Sequence, residues 1–198
     1  MLVIREFDRL TDEGALSELD TSFTSEFAYD IVPGENSLEL RLAPVALQLQ
    51  KRFPLDLDQP IWDQGFVAVE EGKLRGFIAT RYESWNRRLA IVHFYVDLPH
   101  RHLGIGRCLM ERAIESGLRA GALAAWVETS NYNHPGILAY QLLGFSLCGF
   151  DLTLYQGTPV KENLRYTWRG RLPSEEEKGS GLGQASSRPL CVPGTCLR

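Results

Sequence analysis

Between Leu89 and Ile114 the chain changes its period. LAIVHFYV is almost wholly apolar and rich in β-branched and aromatic residues, as a central strand covered on both faces requires. After DLPHRHL come Gly104 and Gly106, one residue apart and flanked by Arg101 and Arg107. From there Ile105, Leu109 and Ala113 form one i, i+4 row and Met110, Ile114 and Leu118 another, a broad apolar helix face. ALAAWVET follows and reads as a strand. The chain is thereby committed to one β-α-β crossover, with its two strands parallel and the connection right-handed.

The flanking segments read mostly as antiparallel strands. MLVIREF is a short first strand. GFVAVE and KLRGFIATRYE flank the turn EEGK as a hairpin. FSLCGFDLTLYQ and ENLRYTWRG pair late in the chain. Pro135 stands where the first turn of a helix favours proline, and HPGILAYQLLG closes that helix at Gly144. ALSELDTSFTSEFAYD has apolar residues at roughly helical spacing, whereas ELRLAPVALQLQ suits a strand or a helix. The expected class is α+β, a mainly antiparallel twisted sheet with one β-α-β crossover and helices on both faces. Residues 1–172 read as one domain. Residues 173–198, rich in Gly, Ser, Pro and charge, read as a disordered low-complexity tail.

The bulk numbers set limits. A chain of 198 residues, 44% hydrophobic, can bury one core. Its net charge of −4 gives no basic patch for nucleic acid. No apolar run is long enough for a membrane span, and the start is too charged for a secretory signal, so a cytoplasmic protein is expected. The four cysteines make neither a CxxC pair nor a zinc spacing, and reduced thiols are expected. His100, His102 and His134 lack carboxylate or cysteine partners at ligand spacing, so no metal is expected.

A helix start with unpaired N–H groups and a partial positive charge binds phosphate. Gly104 and Gly106 let backbone approach an anion, and Arg101 and Arg107 add charge. A Walker A loop needs GxxxxGK[ST], which is absent. A dinucleotide loop needs GxGxxG directly after the strand. Here Leu109 takes the third glycine's place, although Glu128 at the next strand's end mimics the acidic ribose contact. The run Arg101-His102-Leu103-Gly104-Ile105-Gly106 fits a third pattern, R/Q-x-x-G-x-G/A. It resembles the coenzyme A pyrophosphate loop of the GNAT acetyltransferase superfamily, whose element order is also the one read above. His102 stands where many members carry glycine. Asn133, Tyr140 and Leu143-Gly144-Phe145 resemble the family's second signature, and VETSNYNHPGILAYQLLGFSLCGFDLTLY with RYTW resembles its streptothricin acetyltransferase branch.

The resemblance implies a three-layer GNAT fold, acetyl-CoA as cosubstrate, and direct attack by an amine. It implies that the amides of His102 to Arg107, with Arg101, hold the diphosphate. It also implies that backbone at Tyr95 and Val96 pairs with the pantetheine arm and that Asn133 contacts the arm's amides. Asn133 also reads as a helix N-cap. Tyr140 is implied as the acid for the thiolate, or else it is a core aromatic. The amine's proton needs a base, and AIVHFYV, where the family often has an acid, carries none. Glu128, His93 and Asp97 are the candidates, with a solvated strand end, a core histidine and a loop cap as their respective bland alternatives.

The acceptor reads as a small cationic amine, a streptothricin-like antibiotic or a polyamine, or else a protein amine. Glu26, Asp30, Glu35, Asp56 and Asp58 lie on the segment that lines the acceptor side in this fold. A non-catalytic acyl-CoA-binding module and a dinucleotide enzyme are the readings from other classes. Dimers are common in the family, and a homodimer is carried over as an expectation.

Overall fold

A computed structural model describes the whole chain except residues 54, 56, 59, 152–164, 173–194 and 197–198. The chain divides into two compact units. The first comprises Met1–Thr21, Pro54–Trp126 and Arg171–Arg198, and the second Ser22–Phe53 and Val127–Gly170.

In the first unit β1 (Leu2–Glu6), β4 (Gln64–Glu70), β5 (Lys73–Glu83) and β6 (Arg88–Val96) pair antiparallel in the order β1-β4-β5-β6. The hairpin between β4 and β5 turns on Glu71 and Gly72, both at positive φ. That is the two-residue turn that suits strand twist and that EEGK foretells. Alternate residues then face opposite layers. On one face Val67, Phe77 and Ala79 meet Leu16 and Leu19 of and just after helix α1 (Arg9–Glu18). On the other lies α2 (Ile105–Arg119), whose Leu109 sits fully buried against Gly76. Because both faces are covered, GFVAV and GFIAT are continuously apolar rather than alternating. The sequence follows β6 with α2 and then β7 (Ala124–Ser130), which begins in this unit and ends in the other.

The second unit holds the hairpin of β2 (Ser22–Pro33) and β3 (Leu38–Arg52), helix α3 (His134–Leu142), and β8 (Phe145–Asp151) paired antiparallel with β9 (Arg165–Arg171). The strand-or-helix ambiguity of ELRLAPVALQLQ thus resolves as strand. The helical spacing read over ALSELDTSFTSEFAYD ends at Glu18, and Ser22 onward is β2. Phe23 and Phe27, four apart, fit a strand's two-residue period as well as a helical turn, so their spacing does not separate the two. The register shift between Ser25 and Phe27 places its extra residues in β3, which passes from Leu49 to Pro44 there.

Most of the expected tail lies outside the described residues. Thr195–Cys196 form a short strand, β10, on β1, so order there departs from the expectation, an edge strand having unpaired backbone to offer. Cys148 is free and exposed. Cys108 is disulfide-bonded, which overturns the expectation of reduced thiols at that position.

The start of α1 is secured by charge. Asp8 caps it by accepting from the Leu10 N–H at 2.9 Å. Asp12, 5% exposed, accepts two Arg5 N–H bonds at 2.6 Å each and the Asp8 N–H at 2.9 Å. Hydrogen bonding by Arg5 holds the Asp12 carboxyl below its usual range. Because the folded pKa is lowered, this stabilisation is complete above the unfolded carboxyl pKa, near 4. It is lost as pH falls through the folded value. Asp12→Ala is expected to cost about 2–3 kcal/mol in urea denaturation at neutral pH. The gap between variant and wild type should narrow in acid.

Candidate active site

The loop after β6 lies wholly in the first unit. Asp97 N–H donates to Arg75 O at 2.9 Å, continuing the β5–β6 ladder by one step. In an antiparallel pair the backbone groups of successive residues alternate in direction. The polar backbone of Val96 therefore faces away from β5 and that of Tyr95 faces toward it. Leu98–His100 make a short 3-10 turn. The Asp97 carboxylate is taken up by His100 Nδ1 at 3.1 Å and by the Arg75 guanidinium at 3.6 Å. Of the three base candidates, Asp97 is thus the one bound into the loop's own framework. Arg75, on β5, carried no signal in the sequence, since nothing local marks its partner.

His102 has φ +64° and Gly104 φ +87°. The loop thus makes two left-handed turns, of which Gly104 takes the one farther from the region L-residues tolerate. The two motif glycines serve different ends. A Cβ on Gly104 would meet no atom within 4 Å, whereas one on Gly106 would lie 3.1 Å from the Phe94 ring. Gly104 is needed for its backbone angle and the open space beside it, and Gly106 for packing of α2 on β6. Leu109, in the third-glycine position of a dinucleotide loop, is a core residue that anchors the helix.

α2 begins without help from its own side chains. Its N-cap, Gly104, makes no side-chain cap bond and no acidic residue lies in its first turn. By contrast α1 is capped by Asp8 and α3 by Asn133. A helix start directs its first amides out of the helix, at the positive end of the helix dipole. Leu103 and Arg107 are exposed beside them, while Ile105 is buried and offers only backbone. An anion fits this start, and open space at Gly104 admits one.

His93 and Tyr95 share the α1 face of β6. His93 stacks on Phe77 with ring centroids 6.3 Å apart, and its Nδ1 is 3.4 Å from the Tyr95 hydroxyl. Burial lowers the His93 pKa and pushes the Tyr95 pKa far upward. Burial thus disfavours the charged form of each.

The second unit carries Glu128, Asn133 and Tyr140. Glu128 is half-buried on β7, which runs two residues past it to Ser130. Asn133 Oδ1 accepts from Gly136 N–H at 3.0 Å, and its Nδ2 donates to Thr129 Oγ1 at 2.8 Å. The N-cap role is therefore realised, and one Nδ2 hydrogen remains. Tyr140 is buried, its ring 5.9 Å from that of Phe145. Asn131, which the sequence reading passed over, joins the β7–α3 turn to β2. It accepts from Tyr29 N–H at 3.1 Å through its backbone carbonyl and donates to Tyr29 O at 3.2 Å through its side chain. Two partners 102 positions apart give no local signal. Beside that turn a pocket of about 360 Å³ is lined by Ser25, Glu26, Phe27, Gln48, His134 and Leu138, among others.

Among the described residues no group of three His, Cys, Asp or Glu side chains is placed to hold a metal, and no helix is long and apolar enough to cross a membrane.

A mainly antiparallel sheet whose strand runs into an uncapped, glycine-led helix defines an acyl-transfer scaffold, and the comparisons bear this out. A sequence model of the acetyltransferase (GNAT) family matches residues 38–145. The chain belongs to that family and is an N-acetyltransferase. Streptothricin acetyltransferase of Streptomyces lavendulae is 39% identical over 157 residues, covering 74% of this chain and 83% of that protein. The crystal structure of nourseothricin acetyltransferase superposes with a TM-score of 0.77 at 36% identity, over 87% of this chain and 99% of that one. A Bacillus anthracis protein solved with acetyl coenzyme A shares the fold, with a TM-score of 0.75 at 23% identity over 86% of this chain and 99% of that one. The expected three-layer fold is thereby established.

Proposed function

We propose that this chain moves an acetyl group from acetyl-CoA to a primary amine of a small cationic antibiotic of the streptothricin class, by direct attack. The observation that carries the donor assignment is the start of α2, uncapped, free of acidic side chains, and open beside Gly104. The diphosphate is the anion, and the amides from His102 to Arg107 grip it. The likeness to streptothricin acetyltransferase supports the acceptor, as does the pocket that Glu26 and the Phe27 ring line, because a carboxylate with an aromatic face suits a cation.

The amine nitrogen bonds to the acetyl carbon as the carbon–sulfur bond breaks. The amine gives up one proton and the departing thiolate takes one up. Tyr140 delivers the proton to sulfur, and Glu128 or neutral His93 removes the amine's proton, directly or through water. Asn133, with its remaining Nδ2 hydrogen, donates to the arm. The chain is read as a homodimer, which sedimentation would test.

The deciding experiment incubates the protein with acetyl-CoA and streptothricin, an aminoglycoside, a polyamine or a peptide, following thiol release and product mass. Thiol release with streptothricin, and the mass of one acetyl group added, is the expected result. Turnover of the peptide alone would move the acceptor to a protein amine. CoA binding without turnover of any acceptor would make the chain a non-catalytic acyl-CoA module.

A further inference from the structure

Arg101 opens the loop motif, but its side chain turns back into the protein. Its Nε donates to the Val96 carbonyl at 2.9 Å. The guanidinium is half-buried beside Asp20 and Asp97, and desolvation lowers its pKa against the pull of those two carboxylates. Two carboxylates in its field offset part of the charge it would present at the helix start. Val96 is the last residue of β6, and its carbonyl faces the edge turned away from β5.

We infer that Arg101 is a positioning residue that ties the terminal carbonyl of β6 to the loop and so sets the strand end against which the donor's pantetheine arm lies, instead of gripping the diphosphate. This rests on acetyl-CoA being the donor. The Val96 carbonyl keeps a second lone pair, so the anchor fixes its direction without using it up. Asp20 and Asp97 attract the guanidinium by charge, and a planar fork loses less freedom than a lysine would in such a place.

The test exploits a difference between arginine and lysine. Arg101→Lys keeps the charge but puts a methylene where Nε stood, so the Nε bond to Val96 is lost. Arg101→Ala removes both. Each variant is assayed with acetyl-CoA and with S-acetylpantetheine, which retains the arm and thioester but has neither diphosphate nor nucleotide. Both variants are expected to raise the KM for both donors by the same factor, roughly tenfold, with melting temperatures within a few degrees of wild type. Loss confined to acetyl-CoA, with the lysine variant near wild type, would make Arg101 a phosphate ligand and overturn the inference. An unchanged KM for both donors with a lower melting temperature would overturn it too, since instability removes active protein without altering KM. Should the alanine variant misfold, the lysine variant alone decides.

Wild-type protein that turned over neither donor would count against the acetyl-transfer reading. The comparison is then made on binding of CoA against pantetheine, with the same factor expected. Wild type that bound neither would overturn both.

Discussion

Tyr140→Phe is expected to lower kcat by about a hundredfold or more while leaving the KM for acetyl-CoA close to wild type. An acid placed to protonate a leaving group acts in the transition state, and its removal is felt there by about 10²–10⁴-fold. The ring is buried against Phe145, and phenylalanine keeps that packing. Loss of one hydroxyl costs about 1 kcal/mol, which for a chain of this size lowers the melting temperature by about 2–4 °C. A large fall in kcat beside a small fall in melting temperature is therefore the signature. Unchanged kcat would return Tyr140 to a packing role and leave the thiolate to be protonated by water. Donors with better leaving thiols should lose less in the variant than acetyl-CoA does, because a thiolate that leaves unaided has less need of the acid.

Gly104→Ala is expected to weaken acetyl-CoA binding by at least about tenfold, with a much smaller effect on stability. At φ +87° any side chain strains the backbone by about 1–2 kcal/mol. No protein atom lies within 4 Å of the new methyl group, so nothing in the protein opposes it further. On the proposed function, the diphosphate is what it would meet. Gly106→Ala is the control. Its Cβ presses on the Phe94 ring at 3.1 Å, so its larger loss should be in stability, about 1–3 kcal/mol as in an overpacked core. Calorimetric titration beside thermal melts separates the two. Wild-type affinity in the Gly104 variant would mean that the coenzyme's phosphates lie elsewhere.

What the chain announces about itself is what short-range chemistry controls. EEGK specifies a two-residue turn, and Glu71 and Gly72 take it up. The i, i+4 rows after Gly104 specify the buried face of α2. Asn133 and Pro135 specify the start of α3, and the structure shows the cap bond in place. The loop motif and the Asn–Tyr signature are likewise local strings, which is why the family could be read before any coordinate.

Other features escaped because their causes are distant. The four-residue spacing of Phe23 and Phe27 suits strand and helix alike, and only pairing with β3 decides for strand. The Tyr29–Asn131 link depends on chain segments that meet only after folding. The candidate base is a similar case. His93 is legible as a histidine in an apolar strand, but the lowering of its pKa follows from its burial.

By itself, then, the sequence determined the element order from Gly65 to Phe145 and the helix that starts on glycine, because turn angles, capping and helical periodicity act over a handful of residues. Tertiary structure alone decided that Arg101 turns inward to Val96, that Asp97 is claimed by Arg75 and His100, and that one motif glycine serves an angle and the other a contact. Direction of a side chain, and the charge it meets there, depend on neighbours that only the closed sheet brings within reach.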